Sequence, residues 1–157
     1  MRTETAVFSS PADFQRREGQ LLGITEWIEV PQSQIQRFAD ATGDHQWIHV
    51  DVERARQGPY GSTLAHGYLV LALVNHFLPE VVSVTNMEMG LNVGLDRVRF
   101  LSPVKAGSRL RGRVELKQVK LLDERSVQAT MTVTIELEGA DRPACIAEPI
   151  SRYFFAP

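Results

Sequence analysis

Residues 64–78 constrain the fold more than any other stretch. Leu64-Ala65-His66-Gly67-Tyr68-Leu69-Val70-Leu71-Ala72-Leu73-Val74-Asn75-His76-Phe77-Leu78 carries eleven apolar side chains in fifteen positions. A helix that is apolar on nearly every side has to be surrounded by packing. Asn75, His76 and Pro79 interrupt the run, which falls short of the ~20 residues a membrane span needs. Beyond Pro79, which is expected to end the helix, the periodicity changes from helical to two-residue. Between Ser126 and Glu138, the residues Val127, Ala129, Met131, Val133, Ile135 and Leu137 share one face, and Gln128, Thr130, Thr132, Thr134 and Glu136 the other. That is the pattern of a strand with one buried face. Weaker alternation over Asp96–Leu101, Ser108–Leu116 and Ala144–Phe155 predicts further strands, with turns near Ala106-Gly107, Leu122-Asp123 and Gly139-Ala140-Asp141. They are expected to form an antiparallel meander.

A curved antiparallel sheet wrapped around one helix hides both kinds of apolar surface at once. The expected class is therefore α+β, with a hot-dog architecture. At 157 residues the chain fits one domain, 1–157, without a linker or an internal repeat. A sheet this small leaves an edge open, and pairing edge to edge into a homodimer is the expected way to protect it.

The segments before the central helix read more locally. Ser10-Pro11-Ala12-Asp13 is a capped helix start with proline at the first helical position, and Gly19 is a candidate stop. Gly23–Val30 alternates and is expected to be a strand. Pro31–Ala41 carries Ile35, Phe38 and Ala39 at helical spacing and runs into Gly43, a plausible terminator. Residues 43–63 read as a long loop with one helical turn at Val52–Arg56, and loops of that length are often functional.

Composition excludes several classes. Hydrophobic residues make up 43%, charged residues 23%, and the net charge is −2, which gives no reason to expect nucleic acid as a partner or a membrane setting. Cys145 is the only cysteine, so neither an intrachain disulfide nor an all-cysteine metal site can form; an inert buried thiol is expected. The start Met1-Arg2-Thr3-Glu4-Thr5 has an acid where a secretory leader is basic, and no apolar run follows. A cytoplasmic location is the expectation.

All four histidines, His45, His49, His66 and His76, fall within residues 45–76. Imidazole is the side chain whose ordinary titration lies near neutrality, so proton chemistry is expected there. His45, His49, Asp51 and His66 match no recognised metal-ligand spacing, and no metal is expected. An aspartate after glycine, as at Asp44, is by itself most often a turn former. His66, at the start of the apolar helix, reads as a structural residue.

Phe38-Ala39-x-Ala41-Thr42-Gly43-Asp44-x-x-x-x-His49, followed by Ala65-His66-Gly67, resembles the MaoC-like, (R)-specific enoyl-CoA hydratases. Gly43-Asp44-His45-Gln46-Trp47-Ile48-His49-Val50-Asp51 is closest to the NodN-like members. The resemblance implies reversible hydration of a trans-2-enoyl thioester to the (R)-3-hydroxyacyl thioester, with Asp44 and His49 holding the water. It needs no cofactor beyond the coenzyme A of the substrate. It also implies that the Gly67 amide at the helix start stabilises the thioester oxygen, which places the helix cap at Leu64 or later. From composition alone Ser62 or Thr63 would be the cap. The wider family has Asn and Pro between the pair, where this chain has Gln46 and Trp47. Gln46 is a candidate to orient the reacting groups with a longer arm. Arg97 is the candidate for the coenzyme A phosphates; Arg99 and the row Arg109, Arg111 and Arg113 serve that role or a solvated face equally well. Trp47, Tyr68, Phe77, Phe154 and Phe155 are candidates to shape an acyl tunnel. The alternatives kept open are an acyl-CoA thioesterase on the same fold and a non-catalytic acyl-thioester binding protein.

Overall fold

The alternation of residues 126–138 becomes the middle strand of a six-stranded sheet in the computed structural model, which describes residues 3–157. Met1 and Arg2, on which the export expectation partly rests, lie outside the described residues. The elements run β1 (Ala6–Phe8), α1 (Pro11–Arg16), β2 (Leu21–Ile24), β3 (Ile28–Glu29), α2 (Gln32–Thr42), α3 (Trp47–Val50) and α4 (Val52–Arg56). They continue with α5 (Gly67–Ala72), α6 (Val74–Val81), β4 (Val82–Val84), β5 (Met87–Phe100), β6 (Arg109–Asp123), β7 (Ser126–Leu137) and β8 (Cys145–Phe155).

The sheet order is β2-β6-β7-β8-β5, with β3 also on β6, and all these pairings are antiparallel. β6, β7 and β8 form the expected meander. β5 does not precede β6 in the sheet; it crosses to the far side and pairs β8 instead. It is also much longer than the strand expected from Asp96. The small parallel pair β1–β4 has no counterpart in the sequence expectations. The strand expected over Gly23–Val30 is split, because Thr25 turns inward. Its N–H donates to the Gly112 carbonyl (2.9 Å) and its hydroxyl accepts from the Gly112 N–H (3.0 Å).

The apolar run forms a bent helix pair, α5 and α6, joined at Leu73. Leu69, Val70, Leu73, Val74, Phe77, Leu78 and Val81 are buried in one cluster with Leu110, Val114, Leu116, Val133, Ile135 and Ala147 of the sheet. The chain thus has the α+β hot-dog arrangement, a sheet curved around a central helix. The helix lies so close to β6 that a Cβ on Gly112 would stand 2.7 Å from Phe77 Cβ; glycine is required by that approach. Pro79 does not end the helix, which continues to Val81. Its ring leaves the carbonyl of Asn75 without its helical donor, and Asn75 is an exposed residue of the open face. The open face of the pair, with Tyr68, Ala72, Asn75 and His76, is exposed, so the helix is not covered all round as its composition suggested. No helix among the described residues is long and apolar enough to cross a membrane.

Candidate active site

α2 ends as its sequence predicts. Gly43 takes the left-handed conformation (φ +80°) and its N–H returns to the Ala39 carbonyl at 2.8 Å, a backbone state that costs glycine least. The chain leaves the helix pointing Asp44 outward. Gln46 follows as the cap of α3; its N–H lies 3.4 Å from Asp44 Oδ1, and its carbonyl accepts the His49 N–H at 2.9 Å. The five-residue gap between Asp44 and His49 is therefore closed by a turn of helix, not by the irregular loop expected.

α3 is only four residues long and is held by tertiary bonds, since so short a helix has little stability of its own. Gln32 Nε2 donates to the His49 carbonyl (2.8 Å), while Gln32 Oε1 accepts the Thr63 hydroxyl. Leu64 N–H donates to the Ile48 carbonyl (2.9 Å). Leu64 in turn accepts from His49 Nδ1 at 2.7 Å. A carbonyl can only accept, so His49 Nδ1 carries a proton, and in the neutral ring Nε2 holds the lone pair. That nitrogen stands 4.0 Å from Asp44 Oδ2.

Residues 63–65 run extended instead of starting the helix. Ala106 N–H bonds the Thr63 carbonyl (3.0 Å) and Ala65 N–H bonds the Val104 carbonyl (2.8 Å). Neither Ser62 nor Thr63 caps α5; His66 does, and Gly67 is the first helical residue. The Gly67 N–H is thus one of the amides that no carbonyl of its own helix reaches. A Cβ at Gly67 would lie 3.3 Å from the Phe100 ring.

His66 is buried, and its Nε2 donates to the Asp44 carbonyl at 3.0 Å. Its ring stacks on His49 with centroids 3.8 Å apart and planes 20° apart, and the tilted Phe38 ring packs against it with centroids 4.9 Å apart. Phe38, Thr42, Asp44, His49, His66, Gly67, Tyr68 and Phe100 line a recess of about 520 Å³. Asp44 is exposed at its rim, while the two imidazoles form its buried wall. Asp44, His49 and His66 offer ligand atoms within 4.8 Å of one another. Yet His66 Nε2 already spends its proton on the Asp44 carbonyl, so a metal there would require a change of tautomer and the loss of that bond.

The structure therefore gathers Asp44, His49 and Gly67 at one recess. It does not bring in the Gln46 side chain or Arg97, neither of which lines it. Arg97 is exposed on β5. The β6 arginines are taken by carboxylates: Arg109 by Glu138 (2.9 Å), Arg111 by Glu136 (2.6 Å) and Arg113 by Glu115 (2.7 Å). Among the tunnel candidates only Tyr68 lines the recess; Phe77 and Phe155 are core residues, and Trp47 packs under the Arg54 guanidinium at 4.3 Å. Gln32, Phe38, Thr42 and Phe100 went unseen in the sequence as site residues. Phe38 and Thr42 carried a signal, inside the motif. Cys145 is fully buried and burial pushes its thiol up to about 11, in keeping with an inert core residue.

Comparison with known proteins places this geometry. The MaoC like domain matches residues 13–137. The chain is 46% identical over 147 residues to 3-hydroxyacyl-thioester dehydratase Z of Mycobacterium tuberculosis, covering 94% of this chain and 97% of that protein. It is 47% identical over 150 residues to Nodulation protein N of Rhizobium leguminosarum bv. viciae, covering 94% and 93%. The unliganded R-hydratase PhaJ1 of Pseudomonas aeruginosa shares the fold, with a TM-score of 0.70 at 23% identity over 94% of this chain and 85% of that one. A domain match over residues 13–137 and relatives 46–47% identical along nearly their whole length show that the chain belongs to the MaoC-like dehydratase family.

Proposed function

We propose that the chain reversibly hydrates trans-2-enoyl-CoA thioesters to (R)-3-hydroxyacyl-CoA thioesters, with Asp44 and His49 as the acid–base pair. One observation carries the proposal: His49 Nε2 stands 4.0 Å from the Asp44 carboxylate at the open N-terminus of α5, while Nδ1 is held by the Leu64 carbonyl. That separation is too long for a direct hydrogen bond and suits a water bonded to both. Hydration sends the water's hydroxyl to C3 and returns a proton to C2, so one group must take a proton while another gives one. A carboxylate and an imidazole meeting at one water supply both. Negative charge that builds on the thioester oxygen is met by the Gly67 N–H, fixed in place before reaction. Phe38, Tyr68 and Phe100 offer apolar surface to the acyl chain. The relative's name supports the thioester class.

The active form proposed is a homodimer in the cytoplasm. β5 hydrogen-bonds only β8 among the described strands, and its free edge carries exposed Met87, Met89, Leu91, Val93 and Leu95. An apolar edge of that length invites another strand. Light scattering at micromolar concentration is expected to give twice the chain's 17.6 kDa; a monomer mass would remove the dimer.

Incubation with crotonyl-CoA tests the activity. Loss of enoyl absorbance without release of free thiol is the expected outcome. Thiol release would make the protein a thioesterase, and binding without either change would make it a carrier of acyl thioesters.

A further inference from the structure

His66 makes two contacts, and leaves one nitrogen unmet, as a merely space-filling residue would not. Its Nε2–H holds the Asp44 carbonyl, its face is stacked on His49, and its Nδ1 is sealed from solvent without a hydrogen-bond partner among the described residues. An unmet polar atom in the interior costs ~1–3 kcal/mol, so a leucine or phenylalanine would serve packing better. The orphan nitrogen has a second meaning. Because Nε2 must donate to a carbonyl, Nδ1 is the bare nitrogen, and no acceptor stands ready for a hydrogen on it. The ring is held in one tautomer and one orientation.

Resting on the proposed hydration at Asp44 and His49, we propose that His66 is the positioning residue of the pair, fixing both members with one side chain. Through Nε2 it anchors the backbone of Asp44, whose side chain is otherwise exposed at the rim. Through its face it sets the plane of His49, whose remaining restraint is the Leu64 carbonyl. The groups facing His66 are Asp44 from the turn after α2, His49 from α3 and the apolar ring of Phe38 from α2. The Asp44 carboxylate lies 3.9 Å from Nε2, beyond a hydrogen bond, so the carbonyl is the anchor.

Three variants separate the two contacts. His66→Ala removes both, His66→Gln keeps a donor of similar reach, and His66→Phe keeps the ring. Misplacing a reacting group by about 1 Å can cost ~10²-fold. Folded His66→Ala is therefore expected to lose ~10²-fold in kcat on crotonyl-CoA with KM within about threefold, and His66→Gln to regain ~10-fold of it. Nitrogen-15 NMR of the wild-type histidines reads the arrangement without activity. His66 is expected to be protonated at Nε2 and His49 at Nδ1. A folded His66→Ala with kcat within threefold of wild type, or a His66 protonated at Nδ1, overturns the proposal. If His66→Ala does not fold, the Gln and Phe variants decide: wild-type kcat in both overturns it. A wild-type protein inactive on crotonyl-CoA would refute the proposed hydration, and the nitrogen-15 spectrum would still judge the anchoring of Asp44.

Discussion

The β6-β7-β8 meander and the segment from Gly43 to Gly67 are held in place by different means. The meander is held by continuous ladders, with Leu110 to Asp123 registered against Leu137 to Ser126, and by side chains such as Met131, Val133 and Ile135 that are fully buried. The segment contains two helices of four and five residues and one isolated bridge. Its order comes from single bonds: Gln32 to His49, His49 to Leu64, His66 to Asp44, Ala65 to Val104. Ladders supply stability that is redundant, whereas single bonds, most of them from a side chain to the backbone, supply position. Substitutions in the two regions should therefore separate stability from turnover.

The largest effect belongs to the acid–base pair. Asp44→Asn and His49→Ala are each expected to lower hydration of crotonyl-CoA by ~10²–10⁴-fold, the usual contribution of such groups. The melting temperature of Asp44→Asn should stay near that of wild type, since Asp44 is exposed, whereas His49→Ala also loses the buried bond to the Leu64 carbonyl and should be destabilised by ~1–3 kcal/mol while still folding. Near wild-type turnover in either folded variant would take that residue out of the mechanism.

Ile135→Ala should do the reverse. Ile135 is fully buried between Gly112 of β6 and Cys145 of β8, and deleting its side chain should cost ~2–5 kcal/mol. Denaturant unfolding measures that cost, while kcat per folded molecule should change little. A large fall in kcat would mean that the sheet positions the site as directly as the local bonds do.

The same contrast explains what was legible beforehand. β7 announces itself because its apolar residues Val127, Ala129, Met131, Val133 and Ile135 alternate with polar ones and are all buried, although Thr130 on the other face is buried too. α2 does so because Ile35 and Ala39 share a buried face and Gly43 stops it. The motif placed Asp44, His49 and Gly67 together because family resemblance carries spatial information that periodicity lacks. α3 was not legible: Trp47–Val50 is helical only because Gln32 and Leu64 hold it. Nor was the first half of β5, where Gly90, Asn92 and Gly94 depress strand propensity and the apolar partners Met89, Leu91 and Val93 stay exposed. Phe100 could not be placed at the site at all, since its distance from Gly67 is a property of the closed sheet.

Gly67→Ala tests the border between the two regions. Alanine gains up to ~1 kcal/mol of helix propensity, but its Cβ meets the Phe100 ring at 3.3 Å. Phe100 is half-exposed at the end of β5 and can swing aside, so the change in stability should stay within ~1 kcal/mol. Turnover should fall, either because the methyl group crowds the thioester or because the displaced ring does. The double variant Gly67→Ala/Phe100→Ala tells these apart: recovery of kcat assigns the loss to the ring. Unchanged turnover in Gly67→Ala would argue against a thioester oxygen seated at that amide.

The smallest effect is expected at the rim, where His45 adjoins Asp44 in sequence but not in role. His45 Nε2 lies 2.9 Å from Asp40 Oδ1, and both side chains are exposed. The hydrogen bond to Asp40 raises the His45 pKa above its ordinary 6.5, and the same bond, with one from Gln36, lowers Asp40. A histidine raised on folding adds stability that is complete below the unfolded value near 6.5 and is lost as pH rises through the folded value. Between exposed groups that contribution is small and screened by salt. Proton NMR titration should put the His45 midpoint above 6.5 in wild type and lower it in Asp40→Asn, with no matching change in kcat. Should Asp40→Asn reduce turnover as far as Asp44→Asn does, the exposed pair would belong to the positioning network, and the division between anchored wall and solvated rim would have to be drawn outside α2.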